Sequence, residues 1–182
     1  MPRLGGELVA ETMRDFSSRV AWSVLARSFT LVGSHDTSRV RSLVADDRLV
    51  IVAAALLFTM PGIPMLTYGD EIGLTGHSGE DGRRPMPWDA AGRDPALWDE
   101  SLRTAYRRLI GVRRDSVALR RGGMRWLYAG RDVLVFLREA PGETALVHVA
   151  RDAHAPIDLD LRLLPGSEQA LARFGGAARQ VA

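Results

Sequence analysis

No cysteine, lysine or asparagine occurs in the 182 residues of this chain. The missing cysteine excludes a disulfide framework and any thiolate metal site. The missing lysine makes all 24 basic side chains arginine, a bias that a GC-rich coding sequence explains without any ligand. A long hydrophobic run is lacking too. The most apolar stretch, residues 49–60, is about 12 residues against the roughly 18 or more that span a bilayer, and Pro61-Gly62 stops it. No leader pattern opens the chain, because Arg3 is followed by no apolar stretch. With Met1 taken as the natural start, the expected location is cytoplasmic. Strong charge of one sign is also absent: 24 basic groups face 22 acidic ones, a net charge of +2. The pI of 9.6 overstates basicity, since few groups titrate between histidine and tyrosine. The arginines are interspersed with acids rather than gathered on a face, which argues against nucleic acid as a partner.

What is present supports a folded chain. Hydrophobic residues make up 46%, enough for a core and against global disorder. The length allows one domain or one and a half. Gly5-Gly6 precede a predicted helix over residues 7–26, with Val9, Met13, Phe16 and Val20 on one face. Phe29-Thr30-Leu31-Val32 is short, apolar and β-prone, as a buried parallel strand should be. Asp46 or Asp47 can cap a following helix that is apolar on nearly every side, the pattern of a helix held between layers. Pro61-Gly62-Ile63-Pro64 breaks it, and Met65-Leu66-Thr67-Tyr68 reads as a second buried strand. Strand, helix, strand in this order predicts a right-handed βαβ crossover.

Residues 73–94 are rich in Gly, Pro and charge and lack periodicity; a loop so long inside a compact domain is usually functional. A helix is expected over residues 97–114, with Leu102, Ala105, Tyr106 and Leu109 as its apolar stripe. Residues 120–123 read as a boundary, after which the period becomes two. Residues 132–138 and 144–149 form a predicted hairpin around Ala140-Pro141-Gly142. Ile157, Leu159, Leu161 and Leu163 alternate like a further half-buried strand. The expected division is therefore residues 1–121, an α/β unit, and residues 122–182, a small antiparallel β-sandwich-like unit.

The chemistry centres on two strand ends. Gly33-Ser34-His35-Asp36-Thr37 and Tyr68-Gly69-Asp70-Glu71-Ile72-Gly73 each place acids after an apolar run. An Asp beside a His can hold vicinal hydroxyls, tune a base or bind a metal. Asp70 and Glu71, as neighbours on an extended strand, would point opposite ways, so they read as structural hydrogen-bonding groups. His77, His148 and His154 carry no functional reading, and no His/acid spacing suggests a metal site. No cofactor is implied.

Longer strings carry a resemblance. Leu31-Val32-Gly33-Ser34-His35-Asp36-Thr37 with Arg39 resembles the motif after the seventh barrel strand of α-amylase family glycoside hydrolases. Residues 56–64, then Tyr68-Gly69-Asp70-Glu71-Ile72-Gly73, are similar to that family's seventh helix and eighth strand. Arg83-Arg84-Pro85-Met86-Pro87-Trp88-Asp89 resembles the loop of its neopullulanase, cyclomaltodextrinase and α-glucosidase branches. The resemblance implies the C-terminal part of a (β/α)8 TIM barrel, strands seven and eight with flanking helices, followed by the β unit. It also implies a retaining mechanism, with two carboxyl groups about 5–5.5 Å apart around an oxocarbenium-like transition state.

By the same resemblance a third acid, Asp36, stabilises that state, and His35 contacts the same sugar ring. Arg83 would grip a sugar near the cleavage point with an aspartate four residues earlier. Here that position is Gly79, so Asp81 or Glu80 would have to substitute. Arg84 reads as a structural ion pair, and Trp88 as packing between loop and barrel, with stacking on a sugar face as the alternative. The nucleophile and general acid belong to the fourth and fifth strands, and no segment here resembles either.

The expected activity is retaining hydrolysis of α-glucosidic bonds in maltodextrins, cyclodextrins or related α-glucans by the complete enzyme. This chain alone is expected to be inactive. The competing expectations are a non-catalytic remnant that binds glucan or a protein partner, and part of a related transglycosylase or isomerase.

Overall fold

The computed structural model describes residues 4–44, 46–88, 97–160 and 162. Helix α1 spans Gly6–Ser18 and a short α2 spans Trp22–Leu25. One continuous helix to residue 26 was expected. The break follows from the serines, whose hydroxyls bond back to main-chain carbonyls: Ser17 Oγ to Met13 O at 2.7 Å and Ser18 Oγ to Asp15 O at 2.8 Å. Of the expected apolar stripe only Met13 packs into a core cluster, while Val9 and Phe16 stay exposed.

Strand β1, Phe29–Thr30, pairs in parallel with β2, Ile63–Pro64. The second strand thus starts two residues earlier than residues 65–68. A proline fits because the ladder's donors are Ile63 N, to Ser28 O, and Met65 N, to Thr30 O, both at 2.8 Å. Position 64 faces away and needs no N–H. Gly62 before it adopts φ 103°, and a Cβ there would stand 2.7 Å from Ser28 O, so the strand entry requires glycine.

Between the two strands lie α3, Val40–Val44, and α4, Asp47–Thr59. Asp46 caps α4 by accepting from Arg48 N at 2.9 Å. Val50, Ala54, Leu57 and Phe58 of α4 meet Leu102, Tyr106 and Leu109 in one apolar cluster. Its other side, through Val52, Ala55 and Leu56, packs on a second cluster containing Leu119, Phe136, Val147 and Val149. Burial on both sides explains why this helix is apolar all round.

Residues 70–72 make a single 3-10 turn and α5 is the four-residue Gly79–Gly82. Asp70 and Glu71 are therefore in a turn, not on an extended strand. Helix α6, Glu100–Asp115, starts at Asp99, whose carboxylate accepts from Ser101 N and Leu102 N at 3.1 and 3.0 Å. Helix α7, Val117–Arg121, was not expected from the sequence. Its N-terminal amides are met by Ser116 and by Glu143, which accepts from Val117 N at 2.7 Å.

Strands β3, Gly123–Gly130, β4, Val133–Ala140, and β5, Glu143–Ala150, form an antiparallel meander. β4 and β5 match the expected hairpin, closed at Pro141 and Gly142, with Gly142 at φ 80°. β3 carries a register shift between Trp126 and Tyr128, which spoils the alternation that would have announced it. The expected strand around residues 157–163 is not formed by Ile157 and Leu159, which are half-buried but lie in irregular backbone. Leu161 and Leu163 lie outside the described residues.

Two buried arginines join the sheet to the helices. Arg113 donates to Phe58 O, Met60 O and Gly62 O at 2.9, 3.0 and 2.6 Å. Arg138 donates to Thr59 O, Gly122 O and Gly123 O at 2.6, 2.8 and 3.1 Å. Both meet the carbonyl end of α4, where the helix dipole favours a cation. Burial still pushes Arg138 down to about 10, with the Arg113 charge adding to the effect. Among the described residues no helix is long and apolar enough to cross a membrane.

Candidate active site

His35 and Asp36 lie just past the C-terminal end of β1, in a turn built by hydroxyl side chains. Ser34 N donates to Thr37 Oγ1 at 2.9 Å, Thr37 N to Ser34 O at 3.2 Å, and Asp36 N to Ser34 Oγ at 3.2 Å. Such local bonds form tight turns, and this one leaves both candidate side chains in solvent. His35 Nε2 stands 3.3 Å from Asp36 Oδ2, with side chains 70% and 66% exposed.

Arg83 arrives from the segment after α5. Its Nη2 donates to Asp36 Oδ1 at 2.9 Å and its Nε to His35 O at 3.0 Å. His35, Asp36 and Arg83 are thus brought together. Asp81 is not: one oxygen pairs with Arg84 and the other accepts from His77 N at 2.8 Å. Arg84 beside it, and then the His77 amide, hold the Asp81 carboxyl below the usual carboxylate range. Arg84 has a structural partner, while Arg83 has turned to the acid of the other segment.

What holds these segments together is Arg39, which the sequence offered only as the end of a motif. Its guanidinium donates to Gly82 O from Nε at 2.9 Å and Nη2 at 2.6 Å, to Tyr68 O, and to Asp70 Oδ1 at 3.0 Å. It also lies 4.9 Å from the centre of the Tyr68 ring. Arg39 and Asp70 are both 2% exposed at the side chain. Burial pushes the Asp70 carboxyl up, and the Arg39 guanidinium pulls it back only in part. One buried cation thereby ties residues 39, 68, 70 and 82, the loops that flank Asp36.

Backbone contact completes the clamp. Ser38 Oγ donates to His77 O at 2.8 Å and Arg39 N to Gly76 O at 2.9 Å. Gly79 passes so near that a Cβ on it would stand 2.8 Å from the carbonyl carbon of Asp36. Glu71 accepts from Gly69 N at 2.7 Å. Trp88, 61% exposed, leans on Trp98 with ring centres 5.4 Å apart. Position 89, the last residue of that motif, lies outside the described residues.

Chemically, the site offers an exposed carboxylate flanked by an imidazole and a guanidinium. Exposed ion pairs of this kind are worth at most about 1 kcal/mol, so hydroxyl groups of a polar ligand can replace Arg83 or His35 on Asp36 at little cost. Among the described residues no group of three or more histidines or acids is placed to hold a metal ion. A recess of about 590 Å³ lies elsewhere and is lined by Met13, Phe16, Trp22, Phe29, Leu31 and Trp126 among others.

Comparison with known proteins shows the family of the chain. Residues 8–122 match the family described as Alpha amylase, catalytic domain. A cyclomaltodextrinase of Thermoanaerobacter pseudethanolicus is 36% identical over 121 residues, 65% of this chain and 20% of the relative. Neopullulanase 2 of Thermoactinomyces vulgaris is 30% identical over 135 residues, 74% of this chain and 21% of the relative. The chain spans about a fifth of the length of these curated relatives. Among solved structures, a cyclic alpha-maltosyl-(1-->6)-maltose hydrolase from Arthrobacter globiformis superposes with a TM-score of 0.75 at 30% identity, over 81% of this chain and 33% of that one. With its family match covering more than half of its residues, the chain belongs to the alpha-amylase catalytic domain family of glycoside hydrolases.

Proposed function

We propose that this chain supplies the transition-state-stabilising carboxylate, Asp36, of a longer enzyme that hydrolyses α-glucosidic bonds in maltodextrins, cyclodextrins or related α-glucans with retention. In this reading β1 and β2 are the seventh and eighth strands of a (β/α)8 barrel within residues 1–121. Residues 122–182 form the appended β unit. The nucleophile and the general acid come from other strands of the same barrel, so the 182 residues alone do not turn over substrate.

The observation that supports it best is the convergence of His35, Asp36 and Arg83 in solvent, beyond the C-terminal end of a parallel strand. That is where parallel α/β folds place their chemistry. Asp36 accepts hydrogen bonds from vicinal sugar hydroxyls, and these strengthen as positive charge develops at the anomeric carbon, which lowers the barrier rather than merely tightening binding. His35 contacts the same ring, and Arg83 exchanges its bond to Asp36 for one to a neighbouring sugar. Asp81 contributes by fixing Arg84 and the His77 amide, and so the course of the loop.

The test is Asp36→Asn in the full-length enzyme. Loss of one charge-stabilising contact of this type costs about 10²–10³ in kcat, with KM changed far less. A kcat near that of the unaltered enzyme would remove Asp36 from the mechanism.

A further inference from the structure

His148 lies on β5 and His154 in the segment that leaves it, and their rings meet in solvent far in sequence from Asp36. Their Nε2 atoms are 2.9 Å apart, with ring centres at 5.0 Å and planes inclined by 50°. His154 Nδ1 stands 2.7 Å from Ala155 O. A carbonyl only accepts, so the proton is on Nδ1 and His154 Nε2 carries a lone pair. Fixing one ring nitrogen as a donor to a backbone carbonyl is the arrangement found behind metal-bound histidines.

We propose that His148 and His154 form a two-imidazole site for a Cu2+ or Ni2+ ion, completed by water. Two metal–nitrogen bonds of about 2.0–2.1 Å spanning the observed 2.9 Å enclose about 90° at the metal. That is the cis angle of a tetragonal or octahedral ion, and imidazole donors completed by water suit Cu2+ and Ni2+. One change of tautomer, moving the His148 proton to Nδ1, exposes the second lone pair without net proton release. The hydrogen bond aims the two Nε2 atoms at one another, and rotation of the two exposed rings turns both lone pairs to a common point. The bound ion ties the segment after β5 to the sheet.

Cu2+ alone, titrated into the intact chain and followed by calorimetry and electron paramagnetic resonance, tests this. The expected result is one tight ion per chain with two equatorial nitrogens. His148→Gln and His154→Gln should each weaken it about 10²-fold, because either change removes one arm of a chelate. His77→Gln should leave it unchanged, and circular dichroism should show all three variants folded. A spectrum with a single nitrogen, or folded His148 and His154 variants that bind like the unaltered chain, would overturn the assignment. The outcome is independent of the glucan reading.

Discussion

Replacing Gly79 by alanine decides whether the loop and Asp36 touch as described. The backbone at 79 has no positive φ, so alanine meets no conformational barrier there. In open space it would stabilise the chain by about 0.4–1 kcal/mol, by narrowing the unfolded ensemble. Here the new Cβ would fall 2.8 Å from Asp36 C and 2.9 Å from its Cα and O. Ordinary contact needs about 3.4 Å, so the segments must part by roughly 0.6 Å, and relieving such overpacking costs typically 1–3 kcal/mol. The two effects sum to a net loss of about 1 kcal/mol, read by urea unfolding of the intact chain. The same displacement stretches the 2.9 Å Arg83–Asp36 bond towards its limit, so the amide resonances of residues 35 and 36 should move with it. A gain in stability with unmoved resonances would refute the contact.

Two further predictions concern the core. Arg138→Met removes three donors from the carbonyls of Thr59, Gly122 and Gly123. Hydrogen bonds to charged groups are worth about 1.5–3 kcal/mol each, and the burial cost of the cation offsets part of that. The expected loss in urea unfolding is about 3 kcal/mol, and a change below about 1 kcal/mol would show those carbonyls otherwise satisfied. Tyr106→Phe should go the other way. The Tyr106 hydroxyl is buried with no hydrogen-bond partner among the described residues. Burial, with the charges of Asp70 and Glu71, pushes its ionisation upward, so it stays a neutral and unsatisfied group. Deleting it should raise stability by about 1 kcal/mol, measured in the same assay, and a loss would reveal a partner.

The placement of the candidate site was legible where it depended on local order: an apolar strand, a Ser-His-Asp-Thr turn, and a loop arginine. It was illegible where a side chain chose among partners across space. Asp81 and Asp36 were both available to Arg83, and the Ser78 cap, which accepts from Asp81 N at 3.0 Å, turned Asp81 back on its own segment. Arg39 was legible only as the end of a motif and not as a clamp, since a guanidinium that binds mostly carbonyls leaves no pattern of acids to find. The parallel strand pair was foreseen but shifted, because proline reads as a breaker although an outward position in a parallel ladder tolerates it. Strand β3 was hidden by its bulge. At Ile157 and Leu159 the period of two was present without, among the described residues, a neighbouring strand to pair with, and alternation alone does not make a sheet.

The central claim is that Asp36 and its imidazole neighbour hold a glucose unit. Its most direct test is the structure of the full-length enzyme with a bound maltodextrin. The account predicts sugar hydroxyls within hydrogen-bond distance, about 2.6–3.2 Å, of the Asp36 carboxylate and His35 Nε2, with Arg83 turned from Asp36 towards the adjoining sugar. A maltodextrin seated in the active cleft with no hydroxyl in contact with Asp36 would contradict it.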